Sequence, residues 1–240
     1  MSTLSFKASL ATTSQPVDQA LITTPLRQLA PNDRRNLGMG PTFNLMVGDR
    51  IVDANIPKRA AMAMSGFFND ALTKHSHSNM IMLNPQEVSE HCVLAIVDYI
   101  TGNVKVNNPF NLRNKENFVL ELQLYRHAGL FRMMHHAGSM RAALLEDLNQ
   151  EVHIPSYNAL DEITKLPNTD PIYKAAIRRM EGLVHIGELQ GDQDWLRWVN
   201  EHNRFALDMD AYKAERKARD VEKRQVQRQV DFERNFPALK

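Results

Sequence analysis

The chain has 240 residues, of which 43% are hydrophobic and 24% charged, and its 29 basic and 28 acidic residues leave a net charge of +1. That length holds one well-cored domain with extensions or two small domains, and the composition excludes a wholly disordered or fibrous chain. Near-balanced charge supplies no global field to gather polyanions, so nucleic acid is not an expected partner of the whole protein.

Cys92 is the only cysteine, which rules out an intramolecular disulfide and a multi-cysteine zinc site. No apolar run approaches the roughly 20 residues that span a bilayer, so no membrane partner is expected. Met1 to Leu10 lacks the basic start and long apolar block of a secretory leader. The expected location is intracellular, in the cytoplasm or nucleus.

Residues 1–41 are rich in Ser, Thr, Gln and Pro and hold no helical or strand period, so they read as a mobile arm. From Thr42 the pattern changes. Phe43, Leu45 and Val47 alternate with polar or flexible neighbours, and Gly48-Asp49 supplies turn chemistry before Ile51-Val52, which predicts a hairpin with one buried face. Pro57 suits a first helical turn, with Asn55 as its cap. Ala61, Met64, Phe68 and Leu72 then recur every three or four residues, and Ser65-Gly66 is expected to split this stretch into two short helices.

Met80 to Leu83 reads as a brief strand after the polar loop His75 to Asn79, and Asn84-Pro85 as the start of the next helix. Val93, Ile96, Val97 and Ile100 form an i, i+3, i+4, i+7 stripe, closed by Thr101-Gly102. A short strand over Val104–Val106 is expected next, then a helix from Phe118 to Met133 with Leu120, Leu124, Ala128 and Phe131 on one face. Gly138 interrupts before Met140, Leu144, Leu145 and Leu148 resume the period. The predicted fold class is α+β: a small three-stranded sheet packed on a helical layer, because neither layer buries its apolar face alone.

Further on, Asp170-Pro171 is a cap and first-turn pair for a helix carrying Ile172, Ala176, Met180 and Leu183. Trp195, Trp198, Val199 and His202 mark another amphipathic stretch. The expected organisation is an arm over 1–41, a domain over 42–150, a helical extension over 151–205 and a charged helix over 206–240. In that last helix Leu207, Ala211, Ala214, Ala218 and Val221 keep the 3-4 spacing of a coiled coil, but Gln225 and Arg228 then take the seam positions. Interspersed charge signs point to a solvated helix; a partner-binding helix and a nucleic-acid contact are the alternatives.

Four ordered patches carry a family likeness. Phe43 to Asp49 resembles the opening strand and turn of BTB/POZ domains. Pro57 to Phe68 resembles that family's helix leading through small residues to Ser-x-Tyr/Phe-Phe, with Ser65, Phe67 and Phe68 in those last places. Val97 to Gly102 is similar to its Leu-Tyr-Tyr-Thr-Gly helix ending, and Leu124 to Met133 to its Leu-Tyr-x-x-Ala-Asp-x-Tyr-x-Met helix. The sequence departs from the family at Pro57 for His, Ala61 for Leu and Gly129 for Asp, and the first two alter the helix on which a dimer face would be built. Residues Ile163 to Lys174 resemble the segment that follows the domain in many fungal members, which implies a fungal source.

The resemblance implies a BTB/POZ-like fold with a C-terminal helical extension and a protein–protein interaction module that is not an enzyme. The partners it implies are proteins: a second copy, or a cullin if the chain is the substrate adaptor of a cullin-type ubiquitin ligase, or other members of a scaffolded complex. Phe67, Phe68, Tyr99 and Tyr125 are aromatic candidates for the core or for the partner contact, and Phe68, Leu94 and Leu124 are expected in the core.

Catalytic and metal-binding readings are weaker. His91 and Cys92 are adjacent and point about 100° apart on a helix, so Cys92 reads as an inert, partly buried thiol. His75, His77, His135 and His136 could bring imidazoles to zinc or nickel, but no carboxylate or Cys stands at a ligand spacing. Gly38-Met-Gly40 lacks the Lys-Ser/Thr of a phosphate loop. No cofactor and no metal are expected. The rival class is an enzyme or ligand-binding protein with an unrecognised site, which would need a cleft around His91, His127 and His135.

Overall fold

The structure is a computed structural model, and it describes residues 28–114, 117–150 and 154–235. Its contacts divide the chain into two compact units, 1–144 and 145–240. The described residues carry three strands and ten helices, an α+β chain as composition and period predict.

In the first unit, β1 (Thr42–Val47) alternates half-buried and buried residues, so Phe43, Leu45 and Val47 enter the core. Gly48 takes a positive φ of 58° at the turn, a conformation open to glycine, and the chain returns as β2 (Arg50–Pro57). β1 is central: β2 lies antiparallel on one side and β3 (Met80–Leu83) parallel on the other, in the order β2-β1-β3. Ile56, Ile81 and Leu83 complete the buried sheet face.

The expected split of the helix after β2 is present, as α2 (Lys58–Met64) and α3 (Gly66–Lys74). Ser65 makes the break. Its backbone is extended, its Oγ accepts from the Phe68 N–H at 3.2 Å, and the same hydroxyl donates to the Phe131 carbonyl at 2.7 Å. The helix does not begin where the sequence suggests. Pro57 ends β2 and precedes the first helical residue, while Asn55 caps nothing; it sits at φ 63° within the strand, its N–H donating to Asn44 Oδ1 at 3.2 Å.

α4 (Glu90–Asn103) buries Val93, Ile96, Val97 and Ile100 on the predicted stripe. It starts later than Asn84-Pro85 because Asn84 Oδ1 accepts from the Gln86 N–H and closes a turn instead. Val104–Val106 is not a strand: Asn103, buried, accepts from the Phe110 N–H at 2.8 Å and donates to the Tyr99 carbonyl, folding the loop on itself. α5 (Phe118–Leu130) is capped by Asn117, whose Oδ1 accepts from the Val119 and Leu120 N–H groups. It stops short of Met133, and Arg132 turns the chain with φ 53°. α6 (Gly138–Asn149) begins at the glycine expected to interrupt, and it runs through the division between the units.

Of the arm expected over 1–41, residues 1–27 lie outside the described residues. Pro31–Leu37 is not an arm but a helix, α1, with Pro31 in the first turn and Arg34 and Leu37 buried. Arg34 reaches the carbonyls of Leu29, at 2.7 Å, and Asn107.

The second unit is helical. α7 (Tyr157–Thr164), not anticipated from the sequence, is capped by Ser156 and buries Ala159, Leu160 and Ile163. α8 (Pro171–Ile186) opens on Asp170, whose Oδ1 accepts from the Ile172 N–H at 2.8 Å, and ends at Gly187, φ 88°. α9 (Gln193–Glu201) and α10 (Asn203–Asn235) follow. α8 packs on α7 and α10, and α9 on α10.

Candidate functional site

Three of the four candidate aromatics are core residues: Phe68, Tyr99 and Tyr125 are buried, and Phe67 is half-buried. Phe68 lies 5.5, 5.4 and 5.2 Å from the rings of Phe43, Phe67 and Phe131, so β1, α3 and the end of α5 meet on it. Leu124 is buried as expected, but Leu94 is 37% exposed. It follows the core stripe by only one residue, and that step turns it about 100° away.

The exposed apolar surface of the first unit lies elsewhere. Strand register places Met46 opposite Ile51 of β2 and Met82 of β3, so these three side chains form one row across the sheet on the face opposite the core. Met80 stands on the same face beside Asn44. Ile51 is 59% exposed, and Met46, Met80 and Met82 are half-buried. Methionine is unbranched and polarizable, which lets such a face mould itself to a partner. Arg50, beside Ile51, pairs with Glu90 at 3.2 Å on the surface.

The groups that could carry chemistry are committed to structure or dispersed. Cys92 is fully buried and His91 exposed. His127 is buried; its Nε2 accepts from the Ser89 N–H at 2.8 Å while Nδ1 lies 2.6 Å from the Gln123 carbonyl, which requires the proton on Nδ1. The imidazole thereby fixes the start of α4 to α5. The rings of His135 and His136 lie 4.4 Å apart, tilted by 49°, and burial, with His135 adding a repulsive charge, pushes His136 down to about 4. His136 Nδ1 shares a 3.0 Å hydrogen bond with the Tyr99 hydroxyl. Among the described residues no three of His, Cys, Asp and Glu converge as a metal site.

A polar cavity of about 370 Å³ opens beside β1, lined by Thr42, Asn44, Asn55, Lys58, His77 and Asn79 among others. Lys58 is only 3% exposed, and its ammonium donates to the Ser78 carbonyl at 2.6 Å and the Ser76 carbonyl at 3.1 Å. Burial lowers its pKa. These bonds tie the start of α2 to the loop before β3.

In the second unit an aromatic ladder joins α9 to α10. Trp198 stacks on His202 at 4.0 Å and on Trp195 at 5.7 Å, and meets Phe205 edge-on at 5.2 Å. Its indole N–H donates to Asp161 of α7 at 2.6 Å. The Tyr173 hydroxyl donates to Asp208 at 2.8 Å, and burial together with that bond pushes it up to about 12. A groove of about 500 Å³ runs beside this pair between α8 and α10, lined by Ile177, Arg178, Ala211 and Glu215 among others. Arg216 of α10 separately meets the buried Glu181 of α8 at 2.6 Å.

α10 uses one face in this packing: Phe205 and Met209 are buried, and Tyr212 and Arg216 half-buried. On the opposite side Leu207, Ala211, Ala214, Ala218, Val221, Gln225, Arg228 and Phe232 advance by four and three residues alternately, and all eight are exposed.

No family model, no curated protein and no solved structure matches this chain. No helix of the described residues is long and apolar enough to cross a membrane.

Proposed function

We propose that the chain is a protein–protein interaction module of BTB/POZ type, and that its first unit engages a protein partner through the outer face of the sheet. The observation that carries this reading is the row Ile51, Met46 and Met82, held in register across all three strands and left partly open to water. His127, a residue of the cleft that an enzyme reading would need, is spent on backbone partners, as is the buried Lys58, and His91 stands apart on the surface. The element order also fits: a hairpin, a broken helix pair, a third strand parallel to the first, then helices. It departs from the order expected for the family in one element, the short strand over Val104–Val106, which is absent.

The more specific proposal is a substrate adaptor of a cullin-type ubiquitin ligase. Titrating the purified chain with a purified cullin amino-terminal domain, by calorimetry, tests it directly. Binding is expected, and Ile51→Glu and Met82→Glu are expected to weaken it at least 10-fold with unchanged far-UV dichroism. Absence of cullin binding removes the adaptor reading and leaves the scaffold one. Binding that survives both substitutions refutes the sheet face as the contact.

A further inference from the structure

We propose that α10 of the second unit pairs with α10 of a second copy as a parallel two-stranded coiled coil along its exposed eight-residue seam. The first ground is position: Ala211 borders the groove toward α8, but from Ala214 onward the seam lies on the side of the helix away from Phe205, Met209 and Arg216, so the body of its own unit does not cover it there. The second ground is composition. From Lys217 to Phe232 every residue is exposed, yet the stretch includes Val221, 54% exposed, and Phe232, 55% exposed. A stretch of about 12–15 residues with no packed face is marginal as a helix in water, and bare valines and a bare phenylalanine make it worse. A partner along the seam supplies what the stretch lacks.

A second copy fits for reasons of charge. With Ala211, Ala218, Gln225 and Phe232 at a, and Leu207, Ala214, Val221 and Arg228 at d, the e positions are Asp208, Glu215, Glu222 and Gln229. Antiparallel helices would set these e positions against each other, acid on acid. Parallel helices set each Lys217 against the partner copy's residue at 222, a glutamate, and each Arg224 against a glutamine, twice by symmetry. One pair opposes this, Asp210 against the glutamate at 215. Gln225 at a faces its own counterpart, a device that sets register at some cost in affinity, and Arg228 at d weakens the seam further while Asp231 lies one turn on to balance its charge. The other stripe of this segment, Arg219, Lys223, Val226 and Val230, is too basic to close on itself.

This inference does not rest on the BTB/POZ reading, since every substitution that tests it lies beyond residue 206. Sedimentation equilibrium of the full chain from 5 to 200 μM is expected to show reversible dimerisation. Val221→Glu is expected to weaken it at least 10-fold, and Arg228→Leu to tighten it at least 10-fold, with the monomer's fold unchanged because both positions are exposed. Gln225→Cys is expected to form a disulfide-linked dimer on mild oxidation, as parallel register brings the two 225 positions together. A chain that stays monomeric throughout overturns the proposal. So does a dimer indifferent to Val221→Glu and Arg228→Leu, or a Gln225→Cys dimer that does not cross-link.

Discussion

Acid should loosen the first unit through His136. Burial and the neighbouring His135 push its pKa down to about 4 from the ordinary 6.5. Folding therefore disfavours the protonated ring: the unfolded chain takes up the proton first as pH falls below 6.5, and the native state follows only near 4. The stability from keeping His136 neutral is complete above pH 6.5 and is lost as pH falls toward 4. Linkage puts the loss at about 2 kcal/mol at pH 5 and about 3 kcal/mol at its limit, from 1.36 kcal/mol per pKa unit over the interval. Set against a total of about 5–15 kcal/mol for a typical domain, that is a large share. The assay is urea unfolding of the wild type and His136→Gln at half-unit steps from pH 7.5 to 4.5, read as the difference between the two curves so that carboxylate titrations cancel. The wild type is expected to lose stability relative to the variant across this range. A difference that stays flat within about 0.5 kcal/mol would refute the reasoning, because a ring that titrates alike in both states cannot be the half-buried, neutral partner of Tyr99.

Phe68→Ala removes a fully buried ring that touches three others, and a loss of about 3–5 kcal/mol is expected. With a urea slope of about 1–3 kcal/mol per molar, the midpoint should fall by more than 1 M, and a drop of a few tenths would place the ring outside the core. Lys58, whose pKa burial lowers, makes the folded state hold its proton less tightly than the unfolded chain, so stability should rise as pH climbs toward 10.5. Chemical denaturation from pH 8 to 10.5 should show that rise in the wild type and not in Lys58→Met, and parallel curves would count against it. Two glycines of one helix should respond with opposite signs. Gly187→Ala meets a φ of 88° and is expected to cost about 1 kcal/mol, while Gly182→Ala, in open helical space, should stabilise by up to about 1 kcal/mol in thermal unfolding.

The parts of the fold that were legible in the sequence are those in which one period dominates. Phe43, Leu45 and Val47 alternate, and Val93 to Ile100 hold a helical stripe, because each run has one apolar face and one partner layer. Asp170-Pro171 announces α8 by its chemistry alone. The misses are places where a side chain overrides the local pattern. Asn103 captures the Phe110 backbone and stops Val104–Val106 from extending, Asn84 closes a turn ahead of α4, and α1 is held by Arg34 on two backbone carbonyls rather than by an apolar stripe. Ser156, three residues before Ala159 and seven before Ile163, was the available signal for α7. The candidate surface was hidden for a different reason. Met46, Ile51 and Met82 belong to three separate runs, and only strand register, with its irregularity between Leu45 and Met46, shows that they form one row.

The two proposed surfaces have different strengths to contribute. The sheet face is a short row of three apolar side chains with Met80 beside it, and a contact so small should bind a single site weakly. In the proposed parallel dimer the chain would carry that face twice, and the second contact would then form at an effective concentration in the millimolar range for a short connection. Weak single contacts become useful under that arrangement, which gives a soft seam built of alanine, glutamine and arginine a reason to persist: it can assemble and release with protein concentration. The consequence is measurable. On a surface dense in immobilised partner, Val221→Glu should dissociate at least 10-fold faster than the wild type, whereas on a sparse surface the two should match. Equal rates on both surfaces would mean that the tail adds nothing to binding by the sheet face.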